Sequence, residues 1–198
     1  MSVEVDSEPL NAIETQLLND QIGPILRTVL PPDLIPRAFT AIRAAIEQSK
    51  KRQGQSFGGM LPNSGQLGIG FITPKEFNLA TTWTLRSNWA SSSWQTLISS
   101  ATLSKYTHLV VLGYEDTEAV VRPMAVKQTA GGAEQPIIEL TEMRKSDKHF
   151  MPIEPFIAGP ISTFTLEVFL DTTGYSNFRP WGFVIAPYAY LVSKTYLS

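Results

Sequence analysis

Residues 162–170 read Ser-Thr-Phe-Thr-Leu-Glu-Val-Phe-Leu, and this stretch sets the fold class. Phe164, Leu166, Val168 and Leu170 alternate with Thr163, Thr165 and Glu167. Successive side chains of a strand point to opposite faces, so one face here is apolar and the other polar. A helix would spread the same apolar residues around its circumference. The period of two predicts a half-buried strand.

Working toward the C-terminus, Asp171-Thr172-Thr173-Gly174 reads as a turn, and Trp181–Ala186 and Tyr188–Val192 as closing strands separated by Pro187. Working back, Met151–Ile157 is a strand between prolines, and Ile137–Met143 another beyond the Ala130-Gly131-Gly132 loop. Pro123 interrupts Ala119–Val126. Because proline cannot donate to a ladder, that segment belongs at an edge or a bulge. Tyr106–Leu112 is apolar on both faces and is expected to be a central strand. Leu79, Thr81, Trp83 and Leu85 alternate with Ala80, Thr82, Thr84 and Arg86, a further strand. Trp89–Leu103 is open to a second reading as a short helix, with Trp94, Leu97 and Ile98 on one face. About seven or eight short strands spaced by Gly/Pro turns predict an antiparallel β-sandwich or jelly-roll-like domain over residues 57–198.

The first 56 residues follow a different period and read as an α-helical N-terminal arm. Ser7 is the expected cap of a first helix with Glu8 and Pro9 in its first turn. Leu10, Ile13, Leu17 and Ile22 form one stripe, and Gly23-Pro24 is the expected stop. Pro31-Pro32 breaks the chain, and a second helix starts near Asp33 with Pro36 in its first turn. Ile35, Ala38, Phe39, Ile42, Ala45 and Ile46 give it one apolar face. Lys50, Lys51 and Arg52 suit its C-terminal dipole, with Gly54 beyond. The segment 53–70 holds glycines at 54, 58, 59, 65, 68 and 70 and reads as a flexible connection between arm and body.

Charged residues make up 17% of the 198, below the usual figure of about 25%. A folded chain this poor in charge has much neutral surface, which suits contact with protein. The formal net charge of −2 gives no general attraction for nucleic acid, and no specific nucleic-acid ligand is expected. There are no cysteines, which excludes disulfides, thiolate catalysis and Cys-based zinc sites. The acidic start lacks a leader pattern, and no run approaches the roughly 18 apolar residues of a membrane span. Synthesis in the cytoplasm without a signal peptide is the expectation.

Of the two histidines, His108 lies inside an apolar strand and His149 in the charged stretch 144–149, neither with a second ligand at metal-like spacing. No HExxH or GxSxG occurs. Glycines 65, 68 and 70 run in the order G-x-x-G-x-G, not the dinucleotide fingerprint. Glu115, Asp116 and Asp171 lie at strand ends, where acidic residues usually form turns, and Glu139, Glu142 and Glu154 do not single out a pair. No catalytic residue, metal ligand or cofactor is therefore expected, and the chain reads as no enzyme.

The expected role is structural: assembly with copies of itself and with other structural subunits. By architectural analogy alone, a coat-type virion subunit is the most concrete version, located in the virion. The residues expected to carry assembly are Leu10, Ile13, Leu17, Ile35, Phe39, Ile42 and Ile46 of the arm, with Trp83, Trp89, Trp94 and Trp181 as an aromatic interface. Short amphipathic helices must dock on something to be stable, and a tether lets that be a neighbour. Deleting residues 1–56 is expected to leave a folded β domain without assembly. The alternative is a carbohydrate-binding β-sandwich module that stacks sugars on exposed Trp and Tyr.

Overall fold

The computed structural model describes residues 9–79, 83, 93–116, 123–140, 149–170 and 178–193. Two helices, α1 (Ala12–Val29) and α2 (Ile35–Gln53), precede strands β1 (Leu67–Phe71), β2 (Ser93–Thr102), β3 (His108–Asp116) and β4 (Ala125–Ala130). Then come β5 (Ala133–Glu134), β6 (Ile138–Glu139), β7 (Phe150–Ala158), β8 (Thr163–Leu170), β9 (Phe178–Pro187) and a short helix α3 (Tyr188–Ser193). The chain is mainly β, with two antiparallel sheets and N-terminal helices. The first sheet has the order β1-β9-β3-β7 and the second β2-β8-β4-β5, with β6 also on β4. The pairing is nested: β1 with β9, β2 with β8, β3 with β7, and β4 with β5 and β6.

The alternation in β8 has the predicted consequence. Phe164, Leu166, Val168 and Leu170 are fully buried and meet Leu109, Val111, Tyr114, Phe178 and Val184 of the first sheet in one core. This packing is sandwich-like. Tyr114 crosses it, its hydroxyl donating to Gln128 Oε1 on β4, and burial pushes its phenol pKa well up.

β3 is apolar on both faces because both are covered. Val110 and Leu112, with Phe183, Ile185, Leu67 and Ile69, pack on the far side of the first sheet against Leu18, Ile22 and Leu26 of α1 and Ala38, Ile42, Ala45 and Ile46 of α2. The layers are therefore helices, sheet, sheet. β7 holds Pro152 and Pro155 and lies at the sheet edge, where missing donors cost least. No helix among the described residues is long and apolar enough to cross a membrane.

Several elements differ from expectation. The first helix starts at Asn11, whose side chain accepts from the Glu14 N–H while Glu14 returns to the Asn11 N–H; Ser7 lies outside the described residues. The helix runs through Gly23-Pro24 to Val29. Pro24 deprives only the Asp20 carbonyl of its helical partner, at an exposed position that water can serve, and burial of Leu18, Ile22 and Leu26 carries the helix on. Gly23 sits against the Phe39 ring, where its missing side chain lets the helices approach.

The segment 53–70 is fastened along its length rather than acting as a loose tether. The Phe57 N–H donates to Glu14 Oε1 (2.7 Å) and the Met60 N–H to Gln21 Oε1 (2.6 Å). Phe57 is buried, and residues 67–71 form β1. Residues 93–102 form strand β2, not a helix. Conversely, the expected strand over Tyr188–Val192 is helix α3. Pro187 ends the ladder, and the helical turn lets the neighbours Tyr190 and Leu191 both reach the core, which one strand face would not allow. Most of the strand expected over 79–86, and the segments 119–122, 141–143 and 171–174, lie outside the described residues.

Candidate functional site

The buried polar groups come first, because chemistry would start there. Ser49 of α2 and His108 of β3 meet at 2.7 Å between Oγ and Nδ1, both buried where the helix lies on the sheet. Burial, with the Arg52 guanidinium adding to it, pushes the His108 pKa down to about 4. A serine without exposed surface cannot meet a substrate, so this pair acts in packing. Lys50 donates to Glu14 Oε2 at 2.6 Å and to the Pro9 carbonyl at 3.2 Å, pinning α2 to α1. Burial alone would raise the Glu14 pKa; hydrogen bonds from Lys50, Phe57 and Asn11, with the Lys50 charge, outweigh it and leave the carboxyl below its ordinary value.

The remaining candidates are dispersed. His149 Nδ1 lies 2.9 Å from the Asp116 carbonyl. Arg179 donates to Glu115 Oε2 through Nε (2.9 Å) and Nη2 (2.7 Å), and Glu154 pairs with Arg37 at 2.5 Å on the surface. Glu139 pairs through its backbone with Ala125, whereas Glu142 and Asp171 lie outside the described residues. Among the described residues no three His, Cys, Asp or Glu gather as a metal site.

The three described tryptophans lie apart from one another. Trp83 is buried in the inter-sheet core against Phe77, and Trp89 lies outside the described residues. Trp94 and Trp181 sit on the outward faces of opposite sheets.

Trp94, 38% exposed, opens the first surface, the outer face of the second sheet. It lies directly across from Phe169 of β8, edge to face at 5.6 Å, and Ala125 of β4 flanks Phe169 on the other side. The rest of this face is Thr96, Thr129, Thr163, Thr165 and Ser100, with Lys127 neutralised by Glu134 (3.1 Å) and Glu167 (3.7 Å). Those carboxylates raise the Lys127 pKa, with Glu134 contributing most. The helices cover the first sheet, and nothing among the described residues plays that part here. The face is thus mildly acidic, with Glu134, Glu139 and Glu167 against Lys127, rich in hydroxyls, and carries one aromatic pair.

The second surface is an aromatic strip on the helix side of the first sheet. Along β9, Ile185 and Phe183 are covered, while Trp181 and Arg179 are only partly buried. Trp181 contacts Phe71 of β1 at 6.3 Å and Phe150 of β7 at 5.3 Å between ring centroids, and Phe183 at 5.7 Å lies beneath. Phe150 reaches Trp181 across β3 because Gly113 stands opposite Trp181 there. A Cβ at Gly113 would collide with the Phe150 ring. Phe71 is 43% exposed, and the Arg179–Glu115 pair borders the strip.

Of the arm residues, Ile42 and Ile46 are fully buried, and Leu10, Leu17, Ile35 and Phe39 pack on the same cluster against the chain's own sheet. Ile13 alone of the seven is strongly exposed, at 72%. Phe71, Phe150, Phe169 and Gly113 were not singled out in the sequence. For Phe169 a signal existed: it occupies the polar phase of the β8 alternation, an aromatic where solvent was expected. No family model, curated protein or solved structure matches the chain.

Proposed function

We propose that the chain is a non-enzymatic structural protein that assembles with copies of itself, most concretely a coat-type virion subunit of jelly-roll architecture. The observation that carries this reading is the outer face of the second sheet, which no described residue covers, with Trp94 and Phe169 paired at one end of it. Large aromatics dominate the energetics of protein interfaces, whereas isolated charges there must be desolvated. Pairing of Lys127 with Glu134 and Glu167 on the same face lowers that cost for the lysine. The nested strand pairing supports the jelly-roll reading, since a hairpin rolled into two sheets pairs first strand with last and closes inward. That architecture occurs in capsid and in lectin domains, so the weight rests on the face and not on the fold. With the described part of the arm seated on its own sheet, Ile13 is the residue of the seven most open to a neighbour.

The chain lacks cysteine, which makes thiol labelling a clean test. A cysteine at Thr96, on the proposed interface, reacts with a maleimide quickly at dilution and slowly when concentrated. One at Gln16, exposed on α1, reacts at a rate independent of concentration. Equal concentration dependence at both positions, or none at either, rejects the interface.

A second reading rests on the aromatic strip. Phe71, Trp181 and Phe150 with the bordering Arg179–Glu115 pair offer stacking area beside hydrogen-bonding groups, the combination a carbohydrate site needs. A glycan screen in which Trp181→Ala abolishes a binding seen in the parent supports it; an empty screen removes it.

A further inference from the structure

A recess of about 580 Å³ lies where three segments meet: the end of α2 and its continuation (Arg52, Gln53, Gln55), the turn before β3 (Lys105, Tyr106), and the β9–α3 junction (Pro187, Ala189). The size falls in the roughly 300–1,000 Å³ range of small-ligand sites. Its walls are held in place. Gln53 Nε2 donates to the Tyr106 carbonyl at 2.9 Å, tying the helix end to the turn. The Lys105 ammonium sits 5.0 Å from the Tyr106 ring centre, fixing cation and ring on one wall.

Three features point to what the recess takes. First, Arg52 and Lys105 bring two positive charges from separate segments, and neither forms an ion pair with a carboxylate among the described residues. Complementing the helix dipole accounts for Arg52 at the end of α2. It does not account for Lys105, which comes from another segment. Second, Gln55 Oε1 is buried and has no hydrogen-bond partner among the described residues. Buried acceptors are rarely left so, and this one calls for a donor. Third, Tyr106, Pro187 and Ala189 supply apolar wall beside these polar groups.

We propose that this recess is a binding site for a small hydroxylated organic oxyanion of the phosphate-monoester or carboxylate class. The oxyanion lies between the Arg52 guanidinium and the Lys105 ammonium, and a small turn of the half-buried Gln55 side chain brings its Oε1 out to accept from a ligand hydroxyl. The site is independent of both the assembly face and the aromatic strip, and its failure leaves those readings standing.

The test is a titration of the isotope-labelled full chain, followed by NMR, with glucose 6-phosphate, gluconate, inorganic phosphate and glucose. Glucose 6-phosphate or gluconate is expected to give saturable shifts at Arg52, Gln55 and Lys105, with tighter binding than inorganic phosphate or glucose. The tighter of the two assigns the phosphate or the carboxylate class. Arg52→Gln and Lys105→Gln each weaken binding by about tenfold or more, as loss of a charge-assisted bond requires. Gln55→Leu weakens the hydroxylated anions and leaves inorganic phosphate unchanged. All three side chains lie outside the core clusters, and far-UV circular dichroism confirms that the variants fold. The proposal is overturned by absence of saturable binding for both organic anions, by binding that survives Arg52→Gln and Lys105→Gln unchanged, or by glucose binding as well as its phosphate.

Discussion

Substituting His108→Gln keeps a hydrogen-bonding side chain opposite Ser49 and removes the titration of the imidazole. In the folded chain burial holds the His108 pKa at about 4, against an ordinary value of 6.5. At about 1.4 kcal/mol per unit, that gap corresponds to about 3 kcal/mol of stability. The sign follows from the neutral form being the one the fold accepts. The contribution is complete above pH 6.5 and is lost as pH falls from there to about 4, because the unfolded chain takes up the proton first. Glu14 acts lower, since a carboxyl held below its ordinary 4.5 gives up its contribution only beneath that value. The window from about pH 6.5 to about 4.5 therefore belongs to His108 rather than Glu14. Urea unfolding followed by tryptophan fluorescence measures it. The parent is expected to lose more than about 2 kcal/mol between about pH 7 and pH 4.5 relative to His108→Gln, whatever the variant's stability at neutral pH. Parallel pH profiles for the two proteins would refute the assignment of a buried, neutral His108 at the helix–sheet contact.

Three further perturbations probe the packing. Removing residues 1–56 uncovers Val110, Leu112, Phe183, Ile185, Leu67 and Ile69. At about 1.5–3 kcal/mol per large apolar side chain, the loss is on the order of 10 kcal/mol, comparable with the whole stability of a domain. The 57–198 fragment should therefore aggregate or bind a hydrophobic dye, reversing the expectation from sequence of a free-standing β domain. Lys50→Met leaves Glu14 buried without its cation and should cost about 3–5 kcal/mol in denaturant, with Glu14→Gln added to it recovering part of the loss. Gly113→Ala places a methyl group against the Phe150 ring and the Met151 carbonyl. It should cost about 1–3 kcal/mol and change the near-ultraviolet signal of Trp181 as Phe150 moves away.

The strands were legible where one face is buried and the other wet, because burial writes itself as a period of two. β8 is the clear case, and β3 announced itself as central through its lack of alternation. What covers β3 on its second face was not legible. The apolar stripes of α1 and α2 say that they dock, and only the fold says that the partner is the chain's own sheet. The glycine-rich segment 53–70 misled for a related reason. Its glycines permit close approach as readily as freedom, and contacts distant in sequence, Glu14 to Phe57 and Gln21 to Met60, decide between them. The candidate surfaces were the least legible part. Trp94 was visible, but Phe169, Ala125 and the two carboxylates around Lys127 join it only through strand register. The aromatic strip needs four strands side by side and a glycine between two rings, which no local pattern encodes.

The central claim, self-association through the outer face of the second sheet, is tested most directly by mass. Light scattering after size exclusion, on the full chain and on Trp94→Arg over a range of concentrations, gives the answer. The substitution puts a charge at the centre of the aromatic pair while leaving both cores untouched, because Trp94 lies outside them. The account predicts an oligomer or particle for the parent and a monomer of 21.9 kDa for the folded variant. A parent that stays monomeric at high concentration, or an oligomer that Trp94→Arg leaves intact, would contradict it.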